Sequence, residues 1–286
     1  MRALVLSGGS VKGVYETGAL KYMLGELELK YDILCGVSVG SLNSSFLSMY
    51  PHGSEKESIN DLVNFWNKIT IKDIYKNWKP FGIFNILWEN SFFDASPFHN
   101  LVRKNLNIEK IRKSGKIVSV GAVSLTSGKY TSFDQTSEYF IDAVIGSSSF
   151  PGILPPIKFD NQLWIDGGVK TISPTKTAIE LGATSIDIIM TSPKTRIHKF
   201  IKKPSIIDIL KRTIDLSCDK IMSNDIEKLE MHNQLVKAGV SDKKFIDYRV
   251  IRPQFNLIED LFNFDKNKIQ EMMDKGYADA KVITNY

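Results

Sequence analysis

Ser38 stands at the centre of Gly36-Val37-Ser38-Val39-Gly40. The residues before it, Tyr31-Asp32-Ile33-Leu34-Cys35, read as a short strand, and Ser41 to Leu47 read as the opening turns of a helix. A serine on a sharp strand-to-helix turn presents its hydroxyl to solvent, and the flanking glycines Gly36 and Gly40 let the backbone pass without clashing. The helix start that follows offers unpaired N–H groups and a positive dipole end, which suit a developing oxyanion. The chemistry this permits is nucleophilic attack on a carbonyl. An ordinary tight turn between strand and helix uses the same residues.

A second group lies near the N-terminus, where Ser7-Gly8-Gly9-Ser10-Val11-Lys12-Gly13 follows an apolar run. Such a loop turns backbone N–H groups toward an anion. As a dinucleotide fingerprint it lacks the glycine that Ser10 replaces, although Asp32 lies at a suitable distance for a ribose partner. As a P-loop it has Gly8 and Gly13, but Val14 stands where lysine is needed. As an oxyanion hole it needs only convergent amides from Gly8, Gly9 and Ser10. A third group, Asp166-Gly167-Gly168, puts a carboxylate at the end of the strand-like Leu163-Trp164-Ile165, where α/β sheets gather their sites. Burial could raise its pKa enough for a general base, and an Asp-Gly-Gly turn without function reads the same way. The histidines are His52, His99, His198 and His232. The order Ser38, Asp166, His198 suits a hydrolase triad. No local signature surrounds His198, and His52 sits in a Pro-His-Gly turn.

These groups need a scaffold. Strands are expected at 2–6, 31–35, 116–123, 129–133, 162–165 and 185–191, and helices at 14–27, 59–69 and 173–181. One long helix or two are expected over 205–236, a stretch without Gly or Pro. Strand–helix alternation argues for an α/β fold: a three-layer α/β/α sandwich around a mostly parallel sheet, with added C-terminal helices. The 286 residues, 43% of them hydrophobic, suffice for one domain: a motif-bearing core of about 1–195 and a helical extension of about 196–286. The net charge of +5 arises from lysines spread among acids, which argues against a nucleic-acid partner. The two cysteines, Cys35 and Cys218, read as free thiols of a reducing compartment. No segment resembles a signal peptide. The longest uncharged stretch, Ala143 to Ile157, has 15 residues broken by three prolines, too short to span a bilayer. The expected location is cytoplasmic, with peripheral contact to a membrane.

In their order and spacing the three motifs resemble the patatin-like phospholipase family. A fourth block, Gly146-Ser147-Ser148-Ser149-Phe150-Pro151-Gly152-Ile153-Leu154-Pro155-Pro156, is similar to the small-residue and proline stretch before the family's Asp-Gly-Gly. The similarity runs over roughly residues 1 to 190. It implies that Ser38 is the nucleophile, Asp166 the sole general base of a Ser–Asp dyad, and Gly8, Gly9 and Ser10 the oxyanion hole. Lys12 then fills the family's basic position, and Gly13, Gly36, Gly40, Gly167 and Gly168 support the motifs. The family usually shows three or four glycines where Ser7 and Ser10 flank only two, so a positive φ at Ser10 would strain the loop. The implied activity is hydrolysis of acyl-lipid esters, with no cofactor and no metal, since no cluster has ligand spacing. The aromatic-rich stretch Trp78 to Trp88, with Phe92 and Phe93, reads as an acyl-chain wall at a membrane interface or as packing of an irregular segment. Other readings are a nucleotide- or phosphate-binding module and a non-catalytic lipid-binding relative.

Overall fold

The computed structural model describes residues 1–79, 88–194, 203, 205–257 and 264–284. Its strands are β1 (Arg2–Leu6), β2 (Ile33–Val37), β3 (Ile117–Ser124), β4 (Tyr130–Asp134), β5 (Ile157–Phe159), β6 (Gln162–Asp166), β7 (Ser185–Ile189) and β8 (Asp247–Ile251). Its helices are α1 (Gly13–Gly25), α2 (Val39–Leu47), α3 (Glu55–Lys68), α4 (Ser96–Asn105), α5 (Ile108–Lys113), α6 (Phe140–Ser147), α7 (Thr175–Glu180), α8 (Ile206–Lys237) and α9 (Lys266–Thr284). The strands form one sheet in the order β5-β6-β3-β2-β1-β7-β8, with β4 also paired to β3. The run from β3 through β2, β1 and β7 to β8 is parallel, and β4, β5 and β6 are antiparallel additions.

Alternation along the buried strands builds two cores. Leu4, Leu6, Leu34, Val118 and Val120 face a layer that includes α1, α2, α3, α6 and α9. Ala3, Val5, Ile33, Cys35, Ile186 and Ile188 face α7 and α8. The architecture is therefore the expected three-layer sandwich with a mostly parallel sheet. Helix α1 has almost no polar face, because sheet, α3 and α9 enclose it. Where α1 crosses α9 the backbones touch: a Cβ on Gly18 would run into the Met273 carbonyl, and one on Gly276 into that of Tyr15.

Several elements differ from expectation. β2 lies two residues later than the expected strand. The stretch 205–236 is one helix. The C-terminal region is not wholly helical, since β8 extends the parallel sheet beyond β7. α6 falls largely within the uncharged stretch, and α4, α5, β5 and α9 are not among the expected elements. Cys35 and Cys218 are free thiols.

Asp187 of β7 holds one end of the sheet together. Its carboxylate accepts from Arg2 at 2.8 Å, from Arg249 at 2.7 Å and from the Tyr31 hydroxyl at 2.7 Å. Burial pushes its pKa up, but these partners outweigh burial and hold it below the ordinary value. A depressed carboxylate stabilises above its unfolded pKa, so the contribution is present at neutral pH and is lost as pH falls through the folded value. Asp187→Ala leaves two guanidinium groups facing each other without their anion. We expect it to cost about 3 kcal/mol at neutral pH, read as a lower urea midpoint. An unchanged midpoint would show that solvent already screens the cluster.

Register now places the chemistry. β2 ends at Val37, opposite Gly121, and β6 ends at Asp166, opposite Ala122. β6 runs antiparallel to β3, so the carboxyl ends of β2 and β6 meet over neighbouring residues of one strand. Ser38 is the next residue after that meeting point.

Candidate active site

The backbone at Ser38 is unusual, with φ 56° and ψ −128°. This is the left-handed side of conformational space, costing about 1–3 kcal/mol for a residue with a side chain. Five hydrogen bonds hold it there. The Ser38 amide donates to Ser147 Oγ at 2.9 Å, and that hydroxyl donates onward to the Gly121 carbonyl at 2.6 Å. The Ser38 carbonyl accepts from the Ser41 amide at 2.9 Å, the Ser41 hydroxyl at 2.6 Å and the Ser148 hydroxyl at 3.1 Å. The elbow also folds tightly on itself. A Cβ on Gly36 would strike the Gly40 carbonyl, and one on Gly40 would strike those of Leu6 and Ser7. Only glycine fits either place.

Asp166 is buried, with 2% of its surface exposed. Its amide donates to the Ser149 carbonyl at 3.0 Å, and its Oδ1 accepts from the Gly168 amide at 2.7 Å. The Ser38 side chain lies near enough to the carboxylate to favour its charged form. Burial pushes the Asp166 pKa up to about 7, against the opposing pull of Ser38 and of the Gly168 amide. Gly167 packs against the Gly121 carbonyl, beside the Val37 side chain.

The glycine loop closes over the elbow. A Cβ on Gly8 would stand 3.1 Å from Ser38 Cβ. The Gly8 amide donates to the Ile172 carbonyl at 3.3 Å, and its own carbonyl accepts from Thr191 Oγ1 at 2.7 Å. Gly9 lies against Thr191, and Gly13 against Val39 and Asn43. Ser10 has φ 54°, so the serine does occupy a conformation that favours glycine. Lys12 is buried and donates to Ser192 Oγ at 3.1 Å, tying the loop to the segment after β7.

Two features of this region went unread in the sequence. The Ser147-Ser148-Ser149 triplet clamps Ser38 and Asp166 through side chains and backbone, although the block containing it was noticed. Below the loop, Glu16 accepts from Asn43 at 2.8 Å, and Asn43 in turn accepts from Trp66 Nε1 at 3.0 Å. Burial holds the Glu16 carboxyl well above its ordinary pKa, with the Asn43 bond opposing. The only signal was a set of polar residues inside otherwise apolar helices.

The other candidates lie elsewhere. His52 stands between Asp32 and Glu55, 3.6 Å from each carboxylate. His232 bonds the Lys244 carbonyl at 3.0 Å, and His99 lies in α4. His198 lies outside the described residues. Asp32 precedes β2 and accepts from the Arg2 amide at 2.9 Å. It therefore sits at the amino end of the strands, away from the loop that leaves the carboxyl end of β1, and cannot act as a ribose partner for a ligand there. In the aromatic stretch, residues 80–87 lie outside the described residues. Trp78 donates to the Ser91 carbonyl at 3.1 Å, and Trp88 is 75% exposed. Among the described residues, no helix is long and apolar enough to cross a membrane.

Residues 4–179 match the patatin-like phospholipase family. The chain is 29% identical over 254 residues to the probable lipid hydrolase 463L of Invertebrate iridescent virus 6, covering 82% of this chain and 86% of that one. It is 22% identical over 193 residues to the uncharacterized protein YjjU of Escherichia coli K12, covering 67% and 52%. The crystal structure of VipD from Legionella pneumophila aligns with 99% of this chain and 66% of that one, at a TM-score of 0.48 and 11% identity.

Proposed function

We propose, from the premise that this chain belongs to the patatin-like phospholipase family, that it is a serine acyl hydrolase of acyl lipids working through a Ser38–Asp166 dyad. The lipid hydrolase class rests on the family and on the viral relative's name. The dyad rests on one observation: a serine on a strained, over-determined elbow stands beside a buried carboxylate poised near neutral pH.

The steps balance as acyl transfer. Asp166 accepts the Ser38 hydroxyl proton as Oγ attacks the ester carbonyl. The tetrahedral oxyanion forms beside the glycine loop. The amides of the Gly8–Ser10 loop are the proposed donors, with the start of α2 adding its dipole. Collapse expels the alcohol, which takes the proton from Asp166, and leaves an acyl-Ser38 ester. Water then attacks that ester while Asp166 accepts its proton. The second collapse releases the fatty acid and returns the proton to Ser38. A single carboxylate serves both halves because its pKa of about 7 lets it gain and lose a proton near neutrality. Positive φ at Ser10 stores strain in the loop, which ties donor geometry to the Lys12–Ser192 and Thr191–Gly8 contacts that hold it.

The test is hydrolysis of a medium-chain p-nitrophenyl ester by the wild-type protein, with and without EDTA, followed by fatty-acid release from phospholipid and lysophospholipid. Turnover unaffected by EDTA is expected. A folded protein with no turnover on any of these esters would overturn the proposal, and tight nucleotide binding by calorimetry would replace it.

A further inference from the structure

Helix α8 changes character along its length. From Met222 onward it packs conventionally: Met222 and Leu229 are buried in the second core. Asp225 accepts from the Ile172 and Ser173 amides at 2.8 and 3.0 Å, fastening the helix to the segment that follows Asp166-Gly167-Gly168. Cys218 and Ile221 still pack against that core, and before Cys218 the pattern reverses. Ile206, Ile209, Leu210, Ile214 and Leu216 are exposed, at 74%, 53%, 57%, 42% and 52%. Their spacing puts them in one band along the helix. The opposite stripe, Asp208, Arg212, Asp215 and Asp219, is half-buried against the protein. A nitrogen of Arg212 and an oxygen of Asp219 are shielded from solvent. A globular helix normally does the opposite, so this face is built for apolar surroundings that the described residues do not supply.

The charge nearby selects the partner. From Lys194 to Lys211 the sequence holds six basic residues (Lys194, Arg196, Lys199, Lys202, Lys203 and Lys211) and one acidic residue, Asp208, whereas the whole chain is only +5. A second copy docked on this face would bring two such segments together and be repelled. An anionic bilayer surface satisfies both features, taking the apolar band into its interface and attracting the basic segment. We infer that the exposed face of the first half of α8 is a docking surface for anionic phospholipid membranes. This rests on the lipid hydrolase reading for its purpose, and it would place the Asp166-bearing segment, through Asp225, on a helix anchored at the substrate surface.

Sedimentation with sucrose-loaded vesicles tests it by binding alone, so it stands or falls separately from turnover. The full chain is expected to co-sediment with phosphatidylserine–phosphatidylcholine vesicles at least tenfold more than with phosphatidylcholine alone, and less at high salt. Ile209→Glu and the milder Leu210→Ser, folded by circular dichroism, are each expected to weaken that binding, the former at least tenfold. Equal binding to both vesicle types, or undiminished binding by folded Ile209→Glu, would overturn it. So would light scattering showing a dimer that Ile209→Glu converts to monomer, because the face would then belong to a second copy.

Discussion

Replacing Ser38 by alanine is expected to reduce ester hydrolysis by on the order of 10⁵-fold, because no other group in the site can carry the acyl chain. The fold should survive. The five hydrogen bonds that hold residue 38 either use its own amide and carbonyl or run between neighbouring groups, and alanine keeps them all. What it loses is the hydroxyl and its effect on the Asp166 carboxylate. A companion variant sharpens the test. Ser38→Gly should be equally inactive, yet glycine accepts φ 56° without strain. Relief of about 1–3 kcal/mol, less about 0.5–1 kcal/mol for glycine's greater unfolded-state freedom, predicts a net gain in stability. The serine at 38 would then be held at the expense of stability for the sake of chemistry. Comparable turnover in Ser38→Ala would remove the elbow from the mechanism. A less stable Ser38→Gly would show that the backbone there is unstrained in solution.

The parts of the site that were legible in the sequence are those whose chemistry imposes residue types on consecutive positions. A sharp elbow demands glycine at 36 and 40, and a loop that presents amides demands small residues at 8 and 9. What joined them was not legible. The meeting of Ser38 with Asp166 depends on β6 pairing antiparallel with the end of β3, a register carried by three residue pairs and by no periodic signal. The role of the serine triplet was not legible, because its hydrogen bonds to Ser38 span more than a hundred positions. Helix α1 showed too little amphipathy to place its faces, since Lys21 alone on it is exposed. Helical structure over 205–236 was readable from spacing, which left open whether it was one helix or two. Spacing cannot say which face turns inward, however, and in the first half of α8 the polar stripe does. Averaging charge over the whole chain likewise concealed its concentration between Lys194 and Lys211.

Asp166→Asn should produce the second large effect, a loss on the order of 10³–10⁴-fold, with a pH signature that separates a base from a structural residue. Asparagine is nearly isosteric, and its carbonyl can still accept from the Gly168 amide now bound at 2.7 Å, so the turn after β6 is retained. It cannot take a proton from Ser38. In the wild type the working form is the ionised carboxylate. With a pKa of about 7, kcat/KM should rise with pH to a plateau above neutrality and fall about tenfold per unit below it. The residual activity of the variant should lack that inflection. Stability moves the other way. The folded pKa is raised above the ordinary value of 3.8, so between about pH 4 and 7 the folded state binds the extra proton and wild-type stability declines as pH rises. The neutral variant escapes this. Its stability relative to wild type should therefore climb across that window by roughly 4 kcal/mol. A protein that becomes inactive and, above neutrality, more stable through one amide substitution would identify Asp166 as a carboxylate buried for its basicity. Retention of the pH inflection in Asp166→Asn would assign the proton acceptor to another group.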